Sequence, residues 1–590
     1  MTTLPCWNLK DLYASTTDPA VDADLRDLEK AADAFRQKWC GKLNAASPAE
    51  FGNALTEYED LVRREGKLFS YADLRHAENV ADEEGGRFLQ FITEKSAETG
   101  TKTLFFRLEI NALTDETMEK LYADATVARY RPFLEHVRLY KPHDLKADIE
   151  EILLEKDTVS ESALIRLYDE TMAAMKVDDG NGGTQTFTEA LDKFNSTDRD
   201  VRRKTGTAVA QVLNEELPTV TLIYNTLVQS KRLEDKWRKY DTPEAYRHLS
   251  NQVDSDVVEA LSAAVWEKLP VTAHRYYRLK AKILGLDKLQ HYDRNAPAFT
   301  GIDERSFTWD EAKDTVLTAY KDFSKDFYTI GKRFFDENWI DAEPRDGKAQ
   351  GAFAHPVTTD AHPYILLSFL GKTRDVMTIA HELGHGIHMC LSAPQGDLMS
   401  GAPLTFAETA SVFGEMLTFQ SLLKREEDPA VRRAMLSRKI EDMINTVVRQ
   451  TAFYRFEKTV HAERKNGELS RKRLNAIWQS VQSESLGDAF DFTEEYDPYW
   501  SYISHFFHTP FYVYAYAFGD CLVNALYTAY TEAADKKDFV AKYTDMLKKG
   551  GTQTHRDLLA PFGLNAADKT FWYKGLKVLE TFIDRLEADL

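Results

Sequence analysis

Two histidines and a glutamate in the stretch Thr373 to His388 have the types and spacing of a metallopeptidase site. The sequence is TRDVMTIAHELGHGIH, in which His381, Glu382 and His385 form the pattern H-E-x-x-H. Residues four apart in a helix lie on one face, one turn apart, so the two imidazoles can bind one metal ion. Glu382 is turned by about 100° from His381. Its carboxylate can therefore act as a general base on a metal-bound water.

The residues around this pattern favour a helix that packs into the protein. Thr373 is a candidate N-cap, and Asp375 suits the positive end of the helix dipole. Apolar residues recur every three or four positions beside the histidine face: Val376, Ala380, Leu383 and Ile387. The alternative is that the histidines form a hydrogen-bonded core pair or lie on a solvated face. The apolar stripe favours metal binding.

A second predicted helix, from Thr405 to Lys424, carries two glutamates on one face. These are Glu408 and Glu415 in the otherwise apolar sequence LTFAETASVFGEML. Buried glutamates are rare unless a metal, a histidine or a cation pairs with them. We therefore interpret Glu408 as the third metal ligand and Glu415 as the partner of a ligand histidine. A pair of solvated glutamates is the alternative.

The segment from Tyr499 to Gly519, YWSYISHFFHTPFYVYAYAFG, is the most aromatic part of the chain. Its histidines and tyrosines carry several polar groups: His505, His508, Tyr512, Tyr514 and Tyr516. Burying such a group without a partner costs on the order of 1 to 3 kcal/mol. The composition therefore predicts that this segment faces a wet cleft. A packed helix with tyrosine hydroxyls at the surface is the alternative.

The sequence just before the H-E-x-x-H pattern departs from helical periodicity. Residues Tyr364 to Phe369 are short and apolar, and Pro363 can open an edge strand. An edge strand beside a metal site can hold an extended peptide by backbone hydrogen bonds. A buried strand of a small sheet is the alternative.

Composition and charge exclude several classes of protein. The 590 residues are 43% hydrophobic and 29% charged, which is typical of a globular protein. A net charge of -20 argues against binding nucleic acid or an anionic membrane. The four cysteines are scattered, which indicates neither a disulfide framework nor a thiolate zinc site. We expect a cytoplasmic protein with neither an export signal nor a membrane span.

Helical periodicity dominates the rest of the chain. The predicted helices are Asp18 to Lys42, Pro48 to Arg75, Asp82 to Glu109, Asp115 to Arg138, Ser160 to Met175, Ser255 to Leu284 and Thr308 to Glu337. The run DDGNGG from Asp178 to Gly183 predicts a hairpin turn with a return strand at Thr184 to Phe187, and its ligand pattern does not fit calcium. No long linker is present. We divide the chain into a helical N-terminal lobe, residues 1–200, and a catalytic region, residues 201–590.

Three segments together resemble the thimet oligopeptidase and oligoendopeptidase F family of zinc metallopeptidases, and bacterial oligoendopeptidase F above all. They are HPYILLSFLGKTRDVMTIAHELGHGIH, FAETASVFGEML and SHFFHTPFYVYAYAFG, in this order. The opening WNLKDLYAS is similar as well. The resemblance implies a mainly α fold: a two-lobed helical ellipsoid with a deep substrate channel and a small β-sheet beside the H-E-x-x-H helix. It also implies substrates that are short peptides.

The resemblance further implies roles for individual residues. One Zn²⁺ per chain would be bound by His381, His385 and Glu408, with Glu382 as general base. Family members of the thimet type stabilise the transition state with a histidine and tyrosines on a glycine-rich loop. This chain lacks those glycines and has a shorter spacing. His505 and Tyr514 match best, with Tyr512 as a further candidate.

The function predicted from these features is zinc-dependent endohydrolysis of short, unstructured oligopeptides, with zinc-bound water as nucleophile. A metzincin would need a histidine where Leu391 stands, and the G-x-M-E-N pattern of related aminopeptidases is absent. A carboxypeptidase or dipeptidase on the same scaffold remains an alternative. So does a non-catalytic peptide-binding protein, although such a protein would be expected to lose Glu382 or a ligand. The sequence gives no indication of oligomeric state.

Overall fold

The computed structural model describes residues 4–157, 159–301 and 305–590. These residues form 26 α-helices and five short β-strands. The predicted mainly helical fold class is therefore confirmed, as is the small sheet, which contacts the helix that carries the H-E-x-x-H pattern. The ellipsoidal shape and the deep channel stay predictions. None of the helices in the described ranges is both long and apolar enough to span a bilayer.

The helices are numbered in their order along the chain. The first are α1 (Pro19–Trp39), α2 (Pro48–Glu78), α3 (Glu83–Ala112), α4 (Asp115–Leu121), α5 (Ala125–Arg129), α6 (Arg131–Arg138), α7 (Ala147–Asp157), α8 (Glu161–Ala174) and α9 (Phe187–Asp192). Next are α10 (Arg199–Arg238), α11 (Ala245–Ser250), α12 (Ser255–Lys268), α13 (Ala273–Ile283), α14 (Trp309–Phe323), α15 (Lys325–Asp336), α16 (Thr373–Ser392), α17 (Leu404–Ala407) and α18 (Thr409–Arg425). The last are α19 (Pro429–Met443), α20 (Gln450–Arg464), α21 (Arg471–Leu486), α22 (His505–His508), α23 (Tyr514–Glu532), α24 (Lys536–Lys548), α25 (His555–Leu559) and α26 (Lys569–Ala588).

Contacts divide the chain into two compact units, each built from three segments. The first unit comprises Met1–Lys141, Glu304–Arg425 and Tyr530–Gly563, and the second unit comprises Pro142–Asp303, Glu426–Ala529 and Leu564–Leu590. The division predicted from the sequence, at residue 200, separates two continuous parts of the chain, whereas each compact unit combines three segments. The predicted division therefore stays a prediction.

Some predicted helices are broken where a side chain caps a new helix. The predicted helix Asp115 to Arg138 is three helices, and Asp124 accepts backbone N–H bonds at the start of α5. The predicted helix Thr308 to Glu337 is interrupted at Ser324, whose backbone is extended and whose hydroxyl accepts from Phe327 N. Periodicity continues across such breaks, because each helix keeps an apolar face towards the same core.

The core of the first unit brings the N-terminal helices and the small sheet together. Phe35, Phe51 and Phe106 on α1, α2 and α3 are buried in one hydrophobic cluster. Tyr364 and Leu366 of the sheet belong to the same cluster. The sheet is thereby anchored on the N-terminal helices.

Two small sheets contain all the strands of the described residues. The predicted hairpin is confirmed: β1 (Lys176–Asp178) pairs antiparallel with β2 (Thr184–Thr186). In the other sheet the strand order is β3 (Ile340–Asp341), β5 (Tyr364–Leu366), β4 (Phe353–His355). The strand predicted at Tyr364 to Phe369 is present over Tyr364–Leu366, and of the two alternatives the buried strand of a small sheet is confirmed and the edge strand is not. This strand is central and fully buried, because β3 pairs with it on one side and β4 on the other.

Candidate metal centre and active site

The helix α16 holds the H-E-x-x-H residues, and its start is fixed by Asp375. The Asp375 carboxylate accepts from the backbone N–H groups of Leu370 and Lys372 at 2.8 and 2.9 Å. The helix begins at Thr373 with Lys372 as N-cap, so the expectation that Thr373 is the N-cap is wrong by one residue. The predicted apolar stripe is confirmed, since Val376, Ala380, Leu383 and Ile387 are fully buried.

Gly384, between the two histidines, lets α16 and α18 approach closely. A Cβ atom at this position would lie 2.5 Å from the carbonyl oxygen of Ala410 and 2.6 Å from Ser411 Cα. A side chain at position 384 would clash with the α18 backbone, so only glycine allows this approach. The close contact brings the histidine face of α16 next to the start of α18, where Glu408 lies.

Glu408 occupies a break in the predicted helix Thr405 to Lys424. The chain forms the short α17, turns at Glu408, and continues as α18. The Ser411 hydroxyl donates to Glu408 Oε2 at 2.7 Å, which holds the carboxylate in place. Sequence periodicity predicted one continuous helix and missed this turn.

The three predicted ligands meet around one point. Glu408 Oε2 lies 3.3 Å from His381 Nε2 and 3.4 Å from His385 Nε2. Their ligand atoms all lie within 4.8 Å of one another. Two atoms bound at about 2.1 Å in a tetrahedral zinc site are about 3.4 Å apart. The spacing and the donor set of two imidazoles and a carboxylate therefore fit a zinc ion.

Charges at this point also favour a cation. Burial opposes protonation of His381, but the carboxylates of Glu408 and Glu415 outweigh it and raise the pKa of His381 to about 10. Burial opposes ionisation of Glu408, but the two imidazoles hold the pKa of its carboxyl far below its usual range. Both effects show a strong demand for positive charge between these side chains, which a divalent metal meets.

Glu415 lies where the sequence predicts it, behind a ligand histidine. Its Oε2 atom is 3.4 Å from His381 Nδ1, the ring nitrogen that faces away from Glu408. A carboxylate at this position sets the tautomer and the ring orientation of a metal-binding histidine.

Glu382 is buried beside the ligands and is contacted by the small sheet. The backbone N–H of Ala354 on β4 donates to its carboxylate. Burial raises the pKa of Glu382, while the neighbouring histidines lower it. The backbone hydrogen bond orients the Glu382 carboxylate, and burial makes it a stronger base than an exposed glutamate.

The aromatic segment lies in the second unit, and its polar side chains divide into two sets. His505 and Tyr512 stack with ring centroids 5.8 Å apart, and His505 Nε2 lies 3.2 Å from the hydroxyl of the exposed Tyr516. Tyr514 is buried instead. Its hydroxyl accepts from Asn251 Nδ2 at 2.8 Å and lies 3.1 Å from His248 Nδ1.

Sequence reasoning missed three residues that support these sites. The Tyr320 hydroxyl donates to the Ala380 carbonyl, and its ring fills the space beside Gly414, so it connects α14 with α16 and α18. Ala354 orients Glu382 through its backbone, which no side-chain pattern can indicate.

The third missed residue, Glu457, supports the aromatic segment. Its Oε1 atom accepts from the backbone N–H of Phe511 at 2.8 Å, and Phe511 has a left-handed φ of 60°. The signal was present in the sequence, because Glu457 stands on an otherwise apolar face of α20 between Phe453 and His461.

A helix-rich fold in which H-E-x-x-H is joined by a glutamate as third candidate ligand, here at the turn between α17 and α18, is typical of a class of metallopeptidases. Sequence models identify Peptidase family M3 over residues 194–578 and Oligopeptidase F over residues 109–176. The first match covers more than half of the chain, so the chain belongs to peptidase family M3. It is a metallo-oligopeptidase, as the sequence predicts.

Relatives cover the chain almost from end to end. Oligopeptidase PepF of Bacillus subtilis (strain 168) is 26% identical over 98% of this chain and 86% of its own length. Group B oligopeptidase PepB of Streptococcus agalactiae serotype III (strain NEM316) is 25% identical over 98% and 96%. The crystal structure of oligoendopeptidase-F from Enterococcus faecium has a TM-score of 0.70 at 20% identity and covers 97% and 99% of the two chains. A crystal structure from Chlamydophila abortus has a TM-score of 0.87 at 24% identity and covers 99% and 98%. The two structures show that the fold is shared.

Proposed function

We propose that this chain is a zinc-dependent endopeptidase that cleaves short, unstructured oligopeptides. The observation that supports the proposal most strongly is the ligand triangle, in which Glu408 Oε2 lies 3.3 and 3.4 Å from the Nε2 atoms of His381 and His385. Glu382 stands next to this triangle with a backbone hydrogen bond of its own. These side chains supply three metal ligands and a candidate general base for hydrolysis of a peptide bond at one metal ion.

His381, His385 and Glu408 would hold one zinc ion. Bound there, zinc would supply a Lewis acid that polarises the scissile carbonyl and lowers the pKa of a water molecule towards neutral pH. Glu415 keeps the His381 ring in the orientation that leaves Nε2 free for binding.

Glu382 moves the proton. Its carboxylate accepts a proton from the attacking water and passes it to the amine that leaves. Burial raises the pKa of Glu382, which brings the group closer to the pH at which it must both take up and release a proton. The Ala354 N–H keeps the carboxylate aimed during both steps.

The edge strand β4 is the candidate for binding the peptide backbone, in place of Tyr364 to Phe369. Among the described residues β4 pairs with β5 alone, so it is an edge strand whose other side can pair with an extended peptide next to the Ala354 N–H that Glu382 accepts. His355 on β4 lies 2.8 Å from the Ser70 hydroxyl of α2, which fixes the strand. A peptide that pairs with β4 would pass close to Glu382, because Ala354 contacts both.

His505, Tyr512 and Tyr514 remain the candidates for stabilising the oxyanion, as the family resemblance implies. His505 and Tyr512 are partly exposed, whereas the Tyr514 hydroxyl is buried and already has two polar neighbours. These contacts favour His505 and Tyr512 as direct donors and Tyr514 as their support.

We propose that the partners are short peptides, that nucleic acid and membranes have no role, and that the protein is cytoplasmic. The net charge of -20 supports the exclusion of nucleic acid and anionic membranes, since both would repel a negatively charged protein. A carboxypeptidase or dipeptidase, and a non-catalytic peptide binder, are the alternatives. The names of relatives such as oligoendopeptidase-F support internal cleavage, and Glu382 supports catalysis.

The test is incubation with a mixed library of N-acetylated peptides of different lengths, with product termini identified by mass spectrometry. We expect cuts at internal bonds that a zinc chelator abolishes. Removal of one or two residues from the C-terminus alone would identify a carboxypeptidase. Binding without any product would identify a non-catalytic protein.

A further inference from the structure

The turn between α22 and α23, in the second unit, has a backbone conformation that its sequence does not favour. Phe511 has a φ of 60°, in the left-handed region that favours glycine. The N–H of Tyr512 donates to the carbonyl of Thr509 at 3.1 Å, which closes a β-turn with Pro510 and Phe511 at its centre. Proline in the second position and a positive φ in the third are typical of a type II turn, whose third position normally holds glycine or asparagine. A phenylalanine there must be held by its surroundings.

Two side chains bind the central peptide group of this turn from different helices. The Nε atom of Arg247, on α11, donates to the carbonyl oxygen of Pro510 at 3.4 Å. The Oε1 atom of Glu457, on α20, accepts from the N–H of Phe511 at 2.8 Å. This carbonyl and this N–H belong to one peptide bond and point in opposite directions, because the peptide is trans. The two side chains together therefore fix the plane of the peptide group.

The orientation of that peptide plane decides which type of turn forms. Turning the plane by about 180° would convert the type II turn into a type I turn, in which the third residue has a φ of about -90° that phenylalanine adopts without strain. This flip would break both hydrogen bonds and redirect the ring of Phe511. That ring is fully buried, with its centroid 4.7 Å from that of His461. The two hydrogen bonds and the packing of the ring thus oppose the flip.

The bond to Phe511 explains why a carboxyl group stands at position 457. Glu457 is fully buried on α20, and its Oε2 atom has no hydrogen-bond partner in the described part of the chain. Burying a carboxyl group that makes a single hydrogen bond costs stability relative to an apolar side chain of the same size. The cost is offset only where that one bond matters.

The turn sets the positions of the candidate oxyanion donors. It joins α22, which begins at His505, to α23, and Tyr512 is its last residue. The rings of His505 and Tyr512 stack with centroids 5.8 Å apart. The guanidinium of Arg247 lies 5.8 Å from the Tyr512 ring. Arg247 therefore contacts the turn at two places, the Pro510 carbonyl and the ring of Tyr512.

We propose that Arg247 and Glu457 are positioning residues, which hold the turn Thr509–Tyr512 in its type II form and thereby keep His505 and Tyr512 in place for catalysis. Control of the turn is independent of the proposed function. The effect on catalysis rests on the proposed function, in which His505 and Tyr512 donate to the oxyanion. Arg247 and Glu457 act through the turn, and neither needs to contact the substrate.

The first arm of the test measures the turn without catalysis. Hydrogen exchange of the full-length, zinc-loaded protein is followed by mass spectrometry over the peptides that cover residues 505–516. Glu457→Met removes the acceptor at nearly the same size, so we expect exchange in these peptides to be at least about tenfold faster than in the parent. Glu457→Gln keeps the acceptor oxygen and should exchange as the parent does.

Two further variants separate the turn from general stability. Arg247→Met removes the other hydrogen bond from a partly exposed position, so this variant should fold even if Glu457→Met does not, and it should also speed exchange. The control is Asn225→Leu. Asn225 is also buried and also accepts a backbone N–H, that of Leu469 at 2.9 Å, which lies outside the turn. This control should lower Tm and leave exchange of residues 505–516 unchanged.

The second arm measures kcat and KM on one peptide, at a temperature at which every variant is folded. Loss of positioning should lower kcat at least about tenfold in Glu457→Met and in Arg247→Met with KM nearly unchanged, because the donors act in the transition state. Glu457→Gln and Asn225→Leu should both keep the parent kcat. If Glu457 acts through Tyr512, Glu457→Met should lower kcat much less in Tyr512→Phe protein than in the parent.

Unchanged exchange of residues 505–516 in both Glu457→Met and Arg247→Met would overturn the proposal. So would a kcat that falls no further in these two variants than in Asn225→Leu. A parent that cleaves no peptide would contradict the proposed function, and the exchange arm would still decide whether the two side chains hold the turn.

Discussion

Glu415 Oε2 lies 3.4 Å from Nδ1 of His381, on the side of the ring opposite Glu408. The imidazole is thus held from behind by one carboxylate while its other nitrogen faces the ligand triangle. Glu415→Gln keeps the shape but removes the charge. We expect zinc affinity to fall about 10- to 100-fold. Competition with a chromogenic chelator measures this, and Glu427→Gln, at an exposed position just after α18, serves as the control. Unchanged affinity would mean that Glu415 has no part in holding the metal.

Glu382→Gln and Glu408→Gln should fail in different ways. Glu382→Gln removes the proton carrier and leaves the three ligand atoms in place, so zinc content should stay near one per chain while kcat falls about 10²- to 10⁴-fold. Glu408→Gln removes a ligand, so zinc should be lost on dialysis. Metal analysis and kcat for both variants give the answer. A metal-free Glu382→Gln protein beside a zinc-bound Glu408→Gln protein would reverse the assigned roles.

In the aromatic segment, His505 and Tyr512 are the proposed hydrogen-bond donors to the oxyanion, and Tyr514 is proposed to support their positions. His505→Ala and Tyr512→Phe should lower kcat about 10²- to 10³-fold with little change in KM, as expected for a donor to the transition state. Tyr514→Phe should act mainly on stability, since its hydroxyl bonds to Asn251 and lies beside His248. We expect a loss of about 1–3 kcal/mol there.

Measuring kcat, KM and Tm of these three variants on one peptide distinguishes the roles. If Tyr514→Phe lowers kcat at an unchanged Tm, Tyr514 is itself a donor. If all three variants turn over within a few-fold of the parent, the segment is core and the oxyanion is held elsewhere.

Glu457 should make stability fall with rising pH. Burial raises its pKa from 4.5 to about 8, against the opposing charges of Arg247 and Lys231 and the hydrogen bond from Phe511 N–H. Between these values the folded state keeps a proton that the unfolded state releases, so the free energy of unfolding falls as pH rises from about 4.5 to about 8.

Glu457→Gln retains the acceptor for Phe511 and cannot ionise. Its Tm relative to the parent should therefore increase between pH 5 and pH 8. Parallel thermal scans of parent and variant across this range measure the difference. A constant difference over the range would show that Glu457 has an ordinary pKa.

The sequence predicted the catalytic helix well because its signals are local. His381, Glu382 and His385 acquire their geometry from the helical repeat alone, and the apolar stripe from Val376 to Ile387 fixes the buried face. The position of Glu408 beside the two histidines was also predictable, since a carboxylate on an apolar face needs a partner.

The features that the sequence did not predict depend on distant contacts. The turn at Glu408 accompanies the close packing of Gly384 against Ala410, and helical periodicity contains no trace of it. Tyr364 to Leu366 is central because two other short strands pair with it, and pairing cannot be read from the strand itself. Backbone donors such as Ala354 N–H have no side-chain signature.

In the proposed mechanism, one metal ion bound by His381, His385 and Glu408 is required for peptide hydrolysis. The decisive measurement is titration of metal-free protein with zinc while hydrolysis of one peptide is recorded. We expect activity to rise from zero and to level off at about one zinc per chain, with no recovery in His385→Ala. Full activity in the metal-free protein, or recovery of His385→Ala at the same zinc level, would contradict the account.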